Sequence, residues 1–278
     1  MSQVWFITGA SRGLGLAIAQ AALGAGHRVV AAARRASDAA KALGDHGDRL
    51  LTVALDVTDA SQAEAAVTRA VERFARIDVL VNNAGTSQLG PFETVSAAQV
   101  ERQFATNVLG TLHVTRAVLP VMRAQRSGRV LTLSSVVGVV GYASSSIYCA
   151  SKFALEGWSE SLAQEVARFG VQVTLIEPGM FRTGFMGRDS TRLGEIVIGD
   201  YAGAVAQHQA MIDGFDGKQP GDPAKLGQAV VTIAASEEAP VRIAVGPDAV
   251  EAIVGKADRM RAEVERWRAL SEATNLVG

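Results

Sequence analysis

The chain has 278 residues, 48% of them hydrophobic, with 27 basic residues against 28 acidic ones and a formal net charge of −1. That composition excludes disordered and fibrous classes, allows one substantial buried core, and lacks the basic footprint of a nucleic-acid binder. The one cysteine, Cys149, excludes an internal disulfide and fits a reducing, cytoplasmic setting.

From the N-terminus, Met1 runs into Val4-Trp5-Phe6-Ile7 with no basic leader or cleavage pattern, so no signal peptide is expected. No apolar run reaches the roughly 20 residues that span a bilayer, so no membrane partner is expected. In chain order, β-rich runs are expected at Val4–Thr8, Arg28–Ala33, Leu50–Leu55, Val79–Asn82, Arg129–Ser134, Val171–Glu177 and Val241–Val245. They are nearly continuous in apolar residues, the pattern of parallel strands covered on both faces. Helical periodicity lies between them at Leu14–Ala25, Ala60–Ala75, Ala97–Ala124 and Ile147–Phe169. This strand-helix alternation predicts an α/β fold with a doubly wound parallel sheet. The expected organisation is a single domain over residues 1–278. The rhythm breaks at about 183–223, read as a loop with one weak helical stretch near Tyr201–Ile212, and a charged surface helix is expected at about 248–270.

The first strand ends in Thr8-Gly9-Ala10-Ser11-Arg12-Gly13-Leu14-Gly15, and a helix follows. Glycines permit a tight turn and a close approach of backbone to a pyrophosphate, and the helix start offers unpaired N–H groups with a positive dipole end. Ligands in open α/β sheets sit outside the carboxyl ends of the strands. Asp56-Val57 after the third strand and Asn82-Asn83-Ala84-Gly85 after the fourth should therefore converge on the same crevice. Asp56 has two readings, an acceptor for an adenine amino group or a cap for the next segment.

Tyr148 and Lys152 are four residues apart in a helical segment and share one face. A phenol has a pKa of about 10, and an ammonium beside it favours the phenolate. Ser135 ends the fifth strand, thirteen residues before Tyr148, where its hydroxyl can hold a substrate oxygen or cap a turn. Asn107 interrupts a helical run. Its amide either seats a water behind Lys152 or satisfies the local backbone. His27, His46, His113 and His208 have no metal-ligand spacing, so no metal is expected.

Together these residues resemble the short-chain dehydrogenase/reductase family. The motifs are Thr-Gly-x-x-x-Gly-x-Gly at Thr8–Gly15, Asn-Asn-Ala-Gly at Asn82–Gly85, Ser135, Tyr-x-x-x-Lys at Tyr148–Lys152 and Pro178-Gly179, in that order over about residues 4–183. The resemblance implies a Rossmann-type sheet of seven strands with helices on both faces. It implies Tyr148 as acid and base, Lys152 as ribose ligand and pKa modifier, Ser135 as substrate-orienting hydroxyl, and Asn107 in a proton relay through water. It implies cofactor contacts from Gly9, Ser11, Arg12, Gly13, Leu14, Gly15, Asp56, Val57, Asn83, Ala84, Gly85, Pro178, Gly179 and Thr183, with Thr183 on the nicotinamide carboxamide. It also implies a homodimer or homotetramer through the helices at Ala97–Ala124 and Ile147–Phe169.

The second strand ends Ala33-Arg34-Arg35. An acid at this position would bind the ribose 2′-hydroxyl of NAD. Here Ala33 stands in its place, and Arg34, Arg35 and Arg12 offer guanidinium forks for a 2′-phosphate. NADP is the expected cofactor, with NAD as the alternative. Val137 and Tyr142, with Met180, Phe181 and Phe185 from the variable segment, suit an apolar pocket. The expected reaction is reduction of a hydrophobic carbonyl compound. Two alternatives are an oxidative hydroxysteroid- or retinol-like dehydrogenase and a nicotinamide-nucleotide sensor without chemistry.

Overall fold

The computed structural model describes residues 2–187, 190–215 and 217–276. Arg188, Asp189 and Asp216 of the expected loop lie outside the described residues, as do Met1, Val277 and Gly278. The first half of the chain gives β1 (Val4–Thr8), α1 (Gly13–Gly24), β2 (Arg28–Ala33), α2 (Ala36–Leu43), β3 (Leu50–Ala54), α3 (Ala60–Phe74), β4 (Val79–Asn82), β5 (Ser87–Leu89), α4 (Ala97–Phe104) and α5 (Gly110–Gln125). The second half gives β6 (Gly128–Leu133), α6 (Ser146–Val166), β7 (Val171–Pro178), β8 (Thr191–Leu193), α7 (Ala202–Phe215), α8 (Pro223–Ala235), β9 (Arg242–Val245) and α9 (Pro247–Glu272).

Seven strands form one parallel sheet in the order β3-β2-β1-β4-β6-β7-β9, as expected from the apolar runs. Residues of β1 alternate between its two faces. Val4 and Phe6 enter one core with Val114, Val118, Met122 and Leu162. Trp5 and Ile7 enter the other with Ile18, Leu23, Leu226 and Val230. All five residues of β1 are buried, which is why the strand reads as a continuous apolar run. Burying each large side chain stabilises the fold by about 1.5–3 kcal/mol. α1 and α8 approach closely because Gly227 has no side chain; a Cβ there would lie 2.6 Å from the Ala17 carbonyl oxygen.

The strand order reverses at β1, which pairs in parallel with β2 on one edge at Ile7↔Ala31 and with β4 on the other at Ile7↔Val81. This switch point opens a crevice at the carboxyl ends of the strands.

Three features differ from the sequence expectation. The helix expected over Ala97–Ala124 is interrupted by one π-helical turn, Ala105–Leu109, which contains Asn107. α8 begins at Pro223, at the end of the segment read as a loop, with Asp222 capping it by accepting from the Ala224 amide at 2.8 Å. β8 lies inside that segment and pairs in parallel with β5 in a separate two-stranded sheet. Among the described residues, no helix is long and apolar enough to cross a membrane.

Candidate active site

The turn after β1 is braced by the turn after β4. The Thr8 hydroxyl accepts from the amides of Asn83 at 2.9 Å and Ala84 at 3.0 Å. The Asn83 side-chain amide donates back to the carbonyls of Thr8 at 2.8 Å and Gly9 at 3.2 Å. Gly9 and Gly13 have φ of 66° and 58°, in the left-handed region that favours glycine. A Cβ on Gly9 would sit 2.9 Å from Asn83 Nδ2, and one on Gly15 would overlap Asn83 Nδ2 and the Gly9 carbonyl. Asn83 therefore acts on the glycine turn itself, with its amide committed to Thr8 and Gly9. α1 starts after Arg12 with no side-chain cap, so its first-turn amides face the crevice as anion donors. A pyrophosphate suits these donors, and any side chain at Gly9 or Gly15 would displace the Asn83 brace that shapes the turn.

Asp56 forms a turn ahead of α3, whose N-cap is Asp59. The Asp56 Oδ1 accepts from the Thr58 amide at 3.0 Å and the Thr58 hydroxyl at 2.8 Å. Val57 is buried against Gly110, and its carbonyl faces His113 Nδ1 at 3.2 Å.

Tyr148 and Lys152 stand on α6, and Ser135 follows β6. The structure brings Tyr148 and Ser135 into hydrogen-bonding contact, with Lys152 bonded to Leu133, two residues before Ser135. Lys152 is buried, and its Nζ donates to the Leu133 carbonyl at 2.6 Å. Burial pushes the Lys152 pKa down to about 8, opposed by the negative charge of Glu156. Burial pushes the Tyr148 phenol above its ordinary range, while a hydrogen bond with Ser135 draws it down. Ser135 also accepts from the Val137 amide at 3.4 Å. The Phe185 ring lies 6.1 Å from the Tyr148 ring, centroid to centroid.

Asn107 hydrogen-bonds to the backbone at Thr86 and to Ser151. Its Oδ1 accepts from the Thr86 amide at 2.9 Å, and its Nδ2 donates to the Thr86 carbonyl at 3.0 Å and the Ser151 hydroxyl at 3.2 Å. Ser151 in turn donates to the Tyr148 carbonyl at 2.8 Å. Asn107 thus ties the loop around Gly85 to the helical turn that carries Tyr148 and Lys152. The π turn gives the amide this direction; such turns recur at functional sites.

The segment after β7 closes over the turn. Gly179 packs against the Asp248 carboxylate, which accepts from the Met180 amide at 2.7 Å. Thr183 faces the glycine turn: a Cβ on Gly13 would lie 3.7 Å from Thr183 Cβ. Phe181 packs against Gly221 and the core. Met180 presents its backbone to α9, and Tyr142 is 46% exposed at the rim.

A basic crevice of about 920 Å³ lies beside the turn, lined by Arg12, Arg34, Arg35, Asp38, Lys41 and Arg192 among others. Arg35 pairs with Asp38 at 2.8 Å, and Arg12 donates to the Ser190 hydroxyl at 3.0 Å. Lys41 and Arg192 were absent from the sequence reading. Lys41 sits on α2, which the periodicity did not show, and Arg192 arrives through the pairing of β5 with β8, for which the sequence has no local signal.

Behind Lys152, Glu156 and Glu177 are both buried and share a hydrogen bond. Arg242 reaches Glu156 at 2.9 Å, Glu160 at 2.7 Å and Glu177 at 3.8 Å. This group ties α6, β7 and β9 together.

Residues 3–193 match the family model described as short chain dehydrogenase. The chain is 40% identical over 275 residues to the oxidoreductase BOA17 of Botryotinia fuckeliana, covering 99% of this chain and 100% of that relative. It is 37% identical to a 3-ketodihydrosphingosine reductase of Bacteroides thetaiotaomicron, covering 88% of each chain. A crystal structure of a short-chain dehydrogenase from Streptomyces avermitilis superposes with a TM-score of 0.91 at 39% identity, covering 99% of this chain and 100% of that one. A second, from Burkholderia phymatum in complex with NAD, gives 0.81 at 25% identity, covering 96% and 95%.

Proposed function

The chain belongs to the short-chain dehydrogenase family, and we propose that it is an NADP-preferring reductase of hydrophobic ketones or aldehydes. The observation that carries this reading is the hydrogen bond between Tyr148 and Ser135, with Lys152 one turn further along α6 and bonded to Leu133 at the end of β6.

The glycine turn and the α1 amides hold the pyrophosphate. A bound reduced nicotinamide supplies the hydride. Ser135 and Tyr148 are within hydrogen-bonding reach of each other, so a carbonyl oxygen placed between them accepts from both hydroxyls. Tyr148 gives its proton to that oxygen as the carbon is reduced, and takes it back when an alcohol is oxidised. Lys152, positively charged below about pH 8, favours the phenolate that remains. Asn107, through Ser151, fixes the turn that carries both groups. Phe185 and Val137 give the site apolar walls. A relative named as a 3-ketodihydrosphingosine reductase supports a ketone substrate.

NADP preference rests on Ala33 at the end of β2 and on the cations of the crevice. The neighbour solved with NAD makes NAD the competing cofactor to titrate. A second copy of the chain docks on α5 and α6 in this reading, beside the exposed Leu109 and Phe153. The single buried cysteine fits a cytoplasmic enzyme.

The test is an absorbance assay of NADPH and NADH oxidation over a panel of aldehydes, aryl ketones, aliphatic ketones and steroids. Tyr148→Phe loses turnover by about 10²- to 10⁴-fold and keeps its affinity for the dinucleotide. Absence of turnover with every carbonyl, together with dinucleotide binding, would assign the chain to sensing instead.

A further inference from the structure

The basic crevice has two walls of different origin. One comes from the nucleotide-binding half: Arg12 in the glycine turn, Arg34 and Arg35 after β2, and Lys41 on α2. The other is Arg192 on β8, in the variable segment on the substrate side. Five cations therefore line one crevice. Among its described lining residues, Asp38 is the one acid, and it is committed to Arg35. Arg34, Lys41 and Arg192 give the crevice the sign of charge that an anion of high charge density matches.

Arg192 is held there by a built scaffold. The Ser87 and Thr191 hydroxyls meet at 2.6 Å, and Gln88 Nε2 donates to the Arg192 carbonyl at 3.3 Å. Arg12 fastens the same strand from the nucleotide side through Ser190. Thr191 also donates to the Phe185 carbonyl at 2.7 Å, and Phe185 faces the Tyr148 ring. One short segment thus touches both the crevice and Phe185, the residue whose ring faces Tyr148.

We propose that Arg192 is a cofactor-selecting residue that grips a 2′-phosphate from the substrate side, so that a phosphorylated dinucleotide fastens the Ser190–Leu193 segment over the site. This rests on the NADP reading above and adds a contact from outside the nucleotide-binding half. The guanidinium fork matches two phosphate oxygens, and Arg34 and Lys41 supply the opposing charge. A dinucleotide with a bare 2′-hydroxyl offers Arg192 no charged partner.

The experiment measures binding of NADPH and NADH to the full chain by fluorescence, in the wild type, Arg192→Gln and Arg192→Lys. Amide exchange of Thr191–Leu193 is followed in each complex. The expected result is wild-type preference for NADPH, an NADPH affinity about tenfold weaker in Arg192→Gln, a much smaller change for NADH, and partial recovery in Arg192→Lys. NADPH slows exchange at Thr191–Leu193 more than NADH does in the wild type, and this difference is lost in Arg192→Gln. An unchanged NADPH-to-NADH ratio in Arg192→Gln overturns the assignment while leaving the cofactor reading standing. Wild-type preference for NADH overturns the cofactor reading itself, before any variant is compared.

Discussion

The Lys152 ammonium donates to the Leu133 carbonyl at 2.6 Å, fastening the helix that carries Tyr148 to the last residue of β6. The same burial that makes this contact rigid lowers the Lys152 pKa to about 8, against about 10.4 in an unfolded chain. Between those values the unfolded chain holds the proton and the folded one releases it, so stability rises with pH through that window. Below pH 8 the cost of the buried charge is fully in force. In the cofactor-free protein, Lys152→Met is therefore expected to be more stable than wild type at pH 7 by about 1–2 kcal/mol, after the lost hydrogen bond is deducted. The gap should close towards pH 10. Urea unfolding at pH 7 and pH 9.5 measures it. A less stable variant at pH 7 would show that the Leu133 bond outweighs the burial.

Ser135 has a second role beside orienting the substrate oxygen. Its hydrogen bond draws the Tyr148 phenol down against the upward push of burial. Ser135→Ala removes that contact, so the phenol ionises at higher pH. For alcohol oxidation, where the phenolate is the base, the midpoint of the pH–rate profile should move upward and kcat should fall by about 10²-fold. Ser135→Thr keeps a hydroxyl and recovers part of both. An unmoved midpoint would leave Ser135 as a turn cap for Val137 alone.

The glycine turn gives a steric prediction with an internal control. A methyl group on Gly15 overlaps Asn83 Nδ2 and the Gly9 carbonyl, whereas one on Gly24 meets nothing within 4 Å. Gly15→Ala should destabilise the fold by about 1–3 kcal/mol and weaken dinucleotide binding, because the brace from Asn83 must shift. Gly24→Ala, at the end of the same helix, should leave binding intact and gain about 0.5–1 kcal/mol from helix propensity. Thermal unfolding with and without the dinucleotide separates the two. Equal behaviour of the two variants would mean the turn adapts without loss.

What the sequence made legible follows from how local each signal is. β1 and β2 were readable because every residue but Arg28 is buried, so burial on both faces appears as an unbroken apolar run. Tyr148 and Lys152 share one helix face by spacing, and the ordered motifs from Thr8 to Gly179 around them are what singled the pair out. Asn107 was found with two readings open, but its partners Thr86 and Ser151 were not, since the π turn that aims its amide at them has no periodicity of its own. α8 carried its start signal in Asp222-Pro223, yet that signal was absorbed into a segment read as loop. Arg192 was out of reach, because its position depends on two three-residue strands whose partners are 104 residues apart.

The buried acids behind Lys152 yield the last prediction. Glu177 is 2% exposed, and burial followed by the charge of Glu156 raises its pKa to about 7, with Arg242 at 3.8 Å opposing the shift. An unfolded glutamate titrates at about 4.3. Between those values the folded chain holds a proton that the unfolded chain has released, so this group favours the folded state below pH 4 and that advantage is lost as pH rises through 7. Glu177→Gln keeps the shape and stays neutral at every pH. It should match wild type below pH 4, exceed it by about 1 kcal/mol at pH 5 and exceed it at pH 8 by up to about 3 kcal/mol. Arg242 keeps Glu156 and Glu160 as partners in the variant, so the ion pairs between α6 and β9 persist. Urea unfolding of both proteins at pH 5 and pH 8 gives the difference directly. If the gap failed to widen with pH, Glu177 would be ionised throughout, and its attraction to Arg242 would exceed both its burial and its repulsion from Glu156.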